Sequence, residues 1–62
     1  MTMETKEMGW IVADNHEDGT SYYIEGADSM TVYGYGATRE EIASVARQLV
    51  ADGEISSYAY SA

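Results

Sequence analysis

The chain contains no cysteine, no proline and no phenylalanine, and it sets only 3 basic residues against 11 acidic ones, for a formal net charge of −8 over 62 residues. Without cysteine there is no disulfide to staple the fold and no thiolate to hold a metal. A lone histidine, His16, leaves no basis for a histidine-built zinc site. Lys6, Arg39 and Arg47 cannot form the basic patch that contacts phosphates, so the chain is not expected to bind nucleic acid directly. No apolar run approaches the ~20 residues that span a bilayer, and Met1–Glu7 has no apolar segment of the kind a secretion signal needs. These absences point to a cytoplasmic protein that makes no membrane contact. No Gly-x-Ser-x-Gly elbow is present, and a chain this short leaves little room for a substrate cleft. The expectation is a protein that is not an enzyme and takes no cofactor or metal.

One local absence is sharper still. Between Glu7 and Thr38 there is no lysine or arginine, while Glu7, Asp14, Glu17, Asp18, Glu25 and Asp28 all fall there. A field of one sign over half of a small domain repels nucleic acid and attracts the basic grooves that hold it. The simpler reading is solubility, for which negative charge needs no partner.

What is present argues for a folded domain. The hydrophobic fraction is 45%, too high for a charge-driven disordered chain. Six tyrosines supply nearly all the aromatic content, and a ring with a polar tip suits a surface that is wet in one state and covered in another.

Read along the chain, residues 1–7 form a flexible polar lead and residues 8–62 a single domain. Alternation predicts a first strand over Met8–Asp14, a turn at Asn15–Gly19, a second strand over Thr20–Glu25, a turn at Gly26–Ser29 and a third strand over Met30–Tyr35. Thr38 followed by Glu41 fits a capping box. Ile42, Val45, Ala46, Leu49 and Val50 then make one apolar stripe, and Gly53 suits the left-handed cap that ends a helix. The helix is predicted over Arg39–Asp52 and a last strand over Ile55–Tyr60. The fold class is α+β, in the order βββαβ, with one helix on one face of a small, mostly antiparallel sheet. Trp10, Val12, Ile24, Met30 and Val32 are the expected partners of the helix stripe. The other face then collects Ile11, Tyr23, Tyr33 and Tyr35, with Tyr58 and Tyr60 as possible additions. That face is either a contact surface or simply a sheet built from residues that pair well across strands.

Two further constellations carry chemistry in other proteins. Asp14, Asp18, Gly19 and Glu25 fall at spacings of a calcium-binding EF-hand loop, but His16 occupies a ligand position and the flanks read as strands. His16 beside Asp14 and Asp18 could serve a serine, yet a loop histidine among acids is ordinarily a solvated side chain. The expected partner-binding residues are Asp14, Glu17, Asp18, Glu25 and Asp28, with Tyr23, Tyr33 and Tyr35 as anchors. The acids would steer and orient a basic protein surface, and the tyrosines would supply buried area.

Over its whole length the chain resembles the small acidic anti-CRISPR proteins of phages and mobile elements: tiny, cysteine-free, acidic and tyrosine-rich, with one helix on a small sheet. That resemblance implies an inhibitor in the bacterial host cytoplasm that occupies a DNA-binding surface on a Cas subunit of a CRISPR surveillance complex, a form of DNA mimicry. The segment Gly36-Ala37-Thr38-Arg39-Glu40-Glu41 also resembles the Gly-x-Thr-x-Glu-Glu entry into the helix of HicB-like antitoxin domains. This second resemblance implies a module that neutralises a basic ribonuclease toxin. The family's prolines before that segment and its appended DNA-binding segment are absent here, and helix capping alone accounts for the match. Either a monomer or a homodimer is compatible with the sequence, the latter if the tyrosine face is its own interface.

Overall fold

The computed structural model describes residues 7–28 and 30–61. The lead expected at 1–7, Glu7 excepted, lies outside the described residues, as do Lys6 and Ser29 of the second turn. Three strands come first: β1 (Gly9–His16), β2 (Gly19–Glu25) and β3 (Val32–Gly36). The helix α1 (Arg39–Ala51) follows, and then β4 (Tyr58–Tyr60). They form one four-stranded sheet in the order β3-β2-β1-β4. β1 pairs antiparallel with β2, and β2 with β3, whereas β4 lies parallel to β1. The α+β class and the βββαβ order are those expected from sequence.

The element ends shift for local reasons. Pairing of β1 with β2 continues to His16 opposite Gly19, so the strands outrun their predicted ends and Glu17-Asp18 alone make the turn. Gly19 follows at a φ of 132°, a backbone that side chains rarely adopt. β3 starts at Val32 rather than Met30, after a register shift opposite Ile24 and Glu25. β4 starts at Tyr58 rather than Ile55, because Ile55 closes the end of the helix. There the N–H of Glu54 bonds the carbonyl of Leu49 at 2.9 Å and that of Gly53 bonds Val50 at 3.0 Å. This is the paired closure of a Schellman cap, with Gly53 at a φ of 76°. At the other end the Thr38 hydroxyl accepts from the Glu41 N–H at 3.1 Å. The Glu41 carboxylate returns not to Thr38, as a standard capping box would, but to the N–H of Ala37 at 2.9 Å.

The core corrects the face assignment of β1 and β3. Ile11, Ile24, Ile42 and Ala46 form the buried cluster, with Tyr22, Tyr33, Val45, Leu49 and Tyr58 packed around it. Ile11, expected on the far face, is 1% exposed, while Trp10 at 36%, Val32 at 45% and Met30 at 85% lie outside the core. In β1 the alternation holds with its phase reversed, whereas in β3 the register shift breaks the alternation, leaving Tyr33 on the helix side and Tyr35 on the open face. Ile11 pairs directly with Ile24, so both point to the helix, and Trp10 and Val12 point away. Tyr58 and Tyr60 pair with Gly9 and Ile11 and so belong to the helix side as well.

Glycine explains why the helix chose this face. A Cβ on Gly36 would stand 2.8 Å from the Ile42 backbone nitrogen, and one on Gly34 would stand 2.7 Å from Val45 Cγ1. On β1, a Cβ on Gly9 would meet Ile55 Cδ1 at 2.8 Å. The helix therefore lies directly against strand backbone, a distance only glycine permits. Four isoleucines, Ile11, Ile24, Ile42 and Ile55, fill what space remains, each contributing on the order of 2 kcal/mol by burial. Among the described residues no helix is long and apolar enough to cross a membrane.

Candidate partner-binding surface

Strand alternation gives the uncovered face of the sheet a definite composition. Val12, Tyr23 and Tyr35 form one row across β1, β2 and β3, and Trp10, Glu25 and Val32 form the next. Asp14 stands above them opposite Ser21. Asp14, Tyr23, Glu25, Val32 and Tyr35 line a shallow open depression on this face. Among the described residues no second helix covers it, and Tyr35 is 74% exposed.

β1 and β2 also extend past their neighbours. Gly36 of β3 pairs no higher than Tyr22, and β4 ends beside Ile11. The hairpin from Asp14 to Ser21 thus stands clear as a two-stranded arm of roughly 10 Å, with residues 13–20 all exposed. The arm is braced by His16 Nε2 with Ser21 Oγ at 3.0 Å and by the Thr20 hydroxyl donating to Asn15 Oδ1 at 2.7 Å. Its tip carries Glu17 and Asp18.

The predicted acids therefore do not gather at a point; they follow a line. Glu17 and Asp18 mark the top, Asp14 and Glu25 lie on the open face, and Asp28 sits in the turn below β2, where it accepts from the Met30 N–H at 3.0 Å. From Gly19 to Glu25 the strand rises about 20 Å, the axial length over which one DNA strand carries about six phosphates. Arg39 and Arg47 lie elsewhere. The Arg39 guanidinium covers the ring of Tyr60, 4.6 Å from its centroid, a cation–π contact. Arg47 borders a notch with Val50, Ser56, Ser57 and Tyr58.

Two residues depart from the expected roles. Tyr33 turns to the core, and its hydroxyl donates to Glu7 Oε2 at 2.6 Å. The bond to a carboxylate, then burial, then the negative charges of Glu7, Asp28 and Glu54 push its phenol up to about 12. Glu7 also accepts from the Ala27 N–H at 2.9 Å, and its carboxylate occupies the place a side chain at Gly26 would take. Glu7 and Tyr33 together are a latch that ties the start of β1 to the β2–β3 turn, so the open face is built without either. Trp10 and Val12 take their place there. The alternating glycines of Val32-Tyr33-Gly34-Tyr35-Gly36 were the signal for this arrangement, because a glycine-lined face is the one a helix can approach.

The calcium reading finds strands on both sides of the loop, where the motif has helices. Among the described residues no group of three or more His, Cys, Asp or Glu side chains converges to hold a metal ion. No family model, curated protein or solved structure matches the chain. The functional reading therefore rests on the geometry of this face and arm.

Proposed function

We propose that the protein is a non-enzymatic inhibitor that lays its open sheet face and acidic arm on a basic, nucleic-acid-binding surface of a larger protein and so excludes the nucleic acid. The observation that carries this reading is the line of Asp18, Glu17, Asp14, Glu25 and Asp28 running past an uncovered aromatic patch. A groove shaped for phosphates offers Lys and Arg at comparable spacing, and carboxylates set in line by a paired hairpin match it. Trp10, Tyr23 and Tyr35 supply the apolar area that charges alone do not. A Cas subunit of a CRISPR surveillance complex presents such a groove and is the partner the anti-CRISPR resemblance favours.

The test begins with capture of the partner from lysate of a CRISPR-bearing bacterium and its identification by mass spectrometry. Association is then followed through the fluorescence of Trp10, the single tryptophan of the chain. The double substitution Glu17→Lys with Asp18→Lys is expected to slow association at least ~10-fold at low salt, with the deficit closing as salt screens the arm. DNA should compete with the wild-type protein for the same site. Unchanged kinetics for the double variant, or a ternary complex with DNA still bound, would remove the arm from the function. Capture of a small basic ribonuclease instead would favour the antitoxin reading.

A further inference from the structure

The sheet has two edge strands, β3 and β4, of which β3 is the longer. The segment Met30–Thr38, which contains β3, has no charged residue and no proline. Edge strands expose unpaired N–H and C=O groups, and proteins normally guard them with lysine, proline, inward-pointing charge or a bulge. The one such guard on β3 is the register shift at its Val32 end, which leaves Gly34–Gly36 in regular register. Exposure concentrates at the same place. Met30 and Tyr35, the two most exposed large apolar side chains, lie on or beside this strand, together with Val32.

The backbone at this edge is also correctly aimed. The Gly26 N–H bonds the Thr31 carbonyl at 2.8 Å and the Ser61 N–H bonds the Ile11 carbonyl at 2.8 Å. These two bonds fix which strand residues face which neighbour. Ile24 and Tyr22 present their backbone groups to Gly34 and Gly36 of β3, while Tyr23 presents its own to Val12 of β1. Tyr35, opposite Tyr23, therefore turns its N–H and C=O outward, away from the sheet.

We propose that β3 is a self-pairing edge, at which two copies of the chain join antiparallel about a two-fold axis through Tyr35. The occupant is a second copy rather than a charged partner, because this edge offers no charge with which to select one. It is also the stretch where two molecules of charge −8 can meet with no like charges directly opposed. A two-fold seam places Tyr35 against its own equivalent, and aromatic pairs across antiparallel strands are favourable. The Ala37 N–H is already held by Glu41, which limits the seam to the middle of the strand and makes the dimer weak. The two four-stranded sheets become continuous, with both open faces on the same side. The dimer thus presents two acidic lines to a partner.

This surface responds to salt in the sense opposite to the acidic one. Screening relieves repulsion between two copies and weakens attraction to a basic groove. Sedimentation equilibrium on the full chain, at about 10 μM to 1 mM, the range suited to a small contact, should show a mass rising toward that of a dimer. The dimer should tighten at least about threefold from ~0.05 to ~0.5 M NaCl, as the Debye length shortens about threefold. Tyr35→Asp, which sets two carboxylates opposite each other at the axis, should give a monomer at every concentration, while Tyr35→Phe, which keeps the ring pair, should leave the dimer in place. Far-UV circular dichroism checks that the variants stay folded. A wild-type protein that is monomeric throughout, a dimer that dissociates as salt is added, or a dimer untouched by Tyr35→Asp would each overturn the proposal.

Discussion

Replacing Gly36 with alanine tests the face assignment on which the functional reading depends. The added Cβ would lie 2.8 Å from Ile42 N, 3.0 Å from Ile42 Cα and 3.2 Å from the Glu41 carbonyl carbon. Comfortable carbon contacts need about 3.5–4.0 Å, so the helix must retreat by roughly 0.5–1 Å. All three atoms belong to helix backbone, so no rotamer change relieves the clash. A gap of that size forfeits about a quarter to a half of each contact well along the seam, where Ile42 and Ala46 pack on Ile24. Overpacking of this kind costs about 1–3 kcal/mol, and the rigid neighbours place Gly36 in the upper half of that range. Alanine also narrows the unfolded ensemble, which returns about 0.4–1 kcal/mol. The net loss is about 1–2.5 kcal/mol, against a total stability of about 3–9 kcal/mol for a chain of this size. The melting temperature should fall by roughly 4–20 °C. Urea titration followed by Trp10 fluorescence and by circular dichroism should show a lower midpoint with an unchanged slope. Tyr35→Ala, at a 74% exposed position, should change stability by less than ~0.5 kcal/mol. If Gly36→Ala is as stable as the wild type, the helix does not rest on β3, and the open face with Trp10, Val12 and Tyr23 is assigned wrongly.

Two more substitutions address the latch and the helix start. The Tyr33 phenol is held above its ordinary 10.0, at about 12, so the folded state keeps this proton more tightly than the unfolded one. Its contribution is full below pH ~10 and is lost as pH rises toward 12. Urea midpoints at stepped pH should show the advantage of wild type over Tyr33→Phe shrinking across that window, and a constant gap would refute the latch. Thr38→Ala removes the hydroxyl that accepts from Glu41 N–H and should cost about 0.5–2 kcal/mol, read as a lower urea midpoint; no change would mean that water caps the helix equally well.

The helix and the strand order were legible because local chemistry dictates them. Thr38, the Ile42–Val50 stripe and Gly53 each act within a few residues of themselves. The phase of β1 was not legible in the same way. Trp10 and Val12 are larger apolar residues than Gly9 and Ala13, and by bulk alone they belong under the helix. What overrides bulk is distance: the helix settles where Gly34 and Gly36 let it touch backbone, and Ile11 follows because it pairs with Ile24. The role of Glu7 was hidden for a related reason. Its partners, Ala27 and Tyr33, are 20 and 26 positions away, a separation that no local pattern encodes. The acids of the arm were visible individually, but their arrangement as a line depends on the hairpin outrunning β3 and β4.

Leaving Trp10, Val12, Tyr23 and Tyr35 on the face away from the helix has a consequence for how charge and aromatic surface act together. An exposed patch containing Trp10, Val12, Tyr23, Val32 and Tyr35 would by itself drive association without discrimination. Asp14 and Glu25 interrupt that patch, and Glu17, Asp18 and Asp28 stand at its two ends, so face-to-face stacking of two copies would oppose like charges at short range. On the proposed reading, a basic surface would meet the same acids as attraction, and the apolar area would be available to it alone. The carboxylates would then act first as a filter, with the tyrosines and tryptophan adding holding strength only for partners that pass it. Self-association is left to the edge of β3, where the chain carries no charge at all.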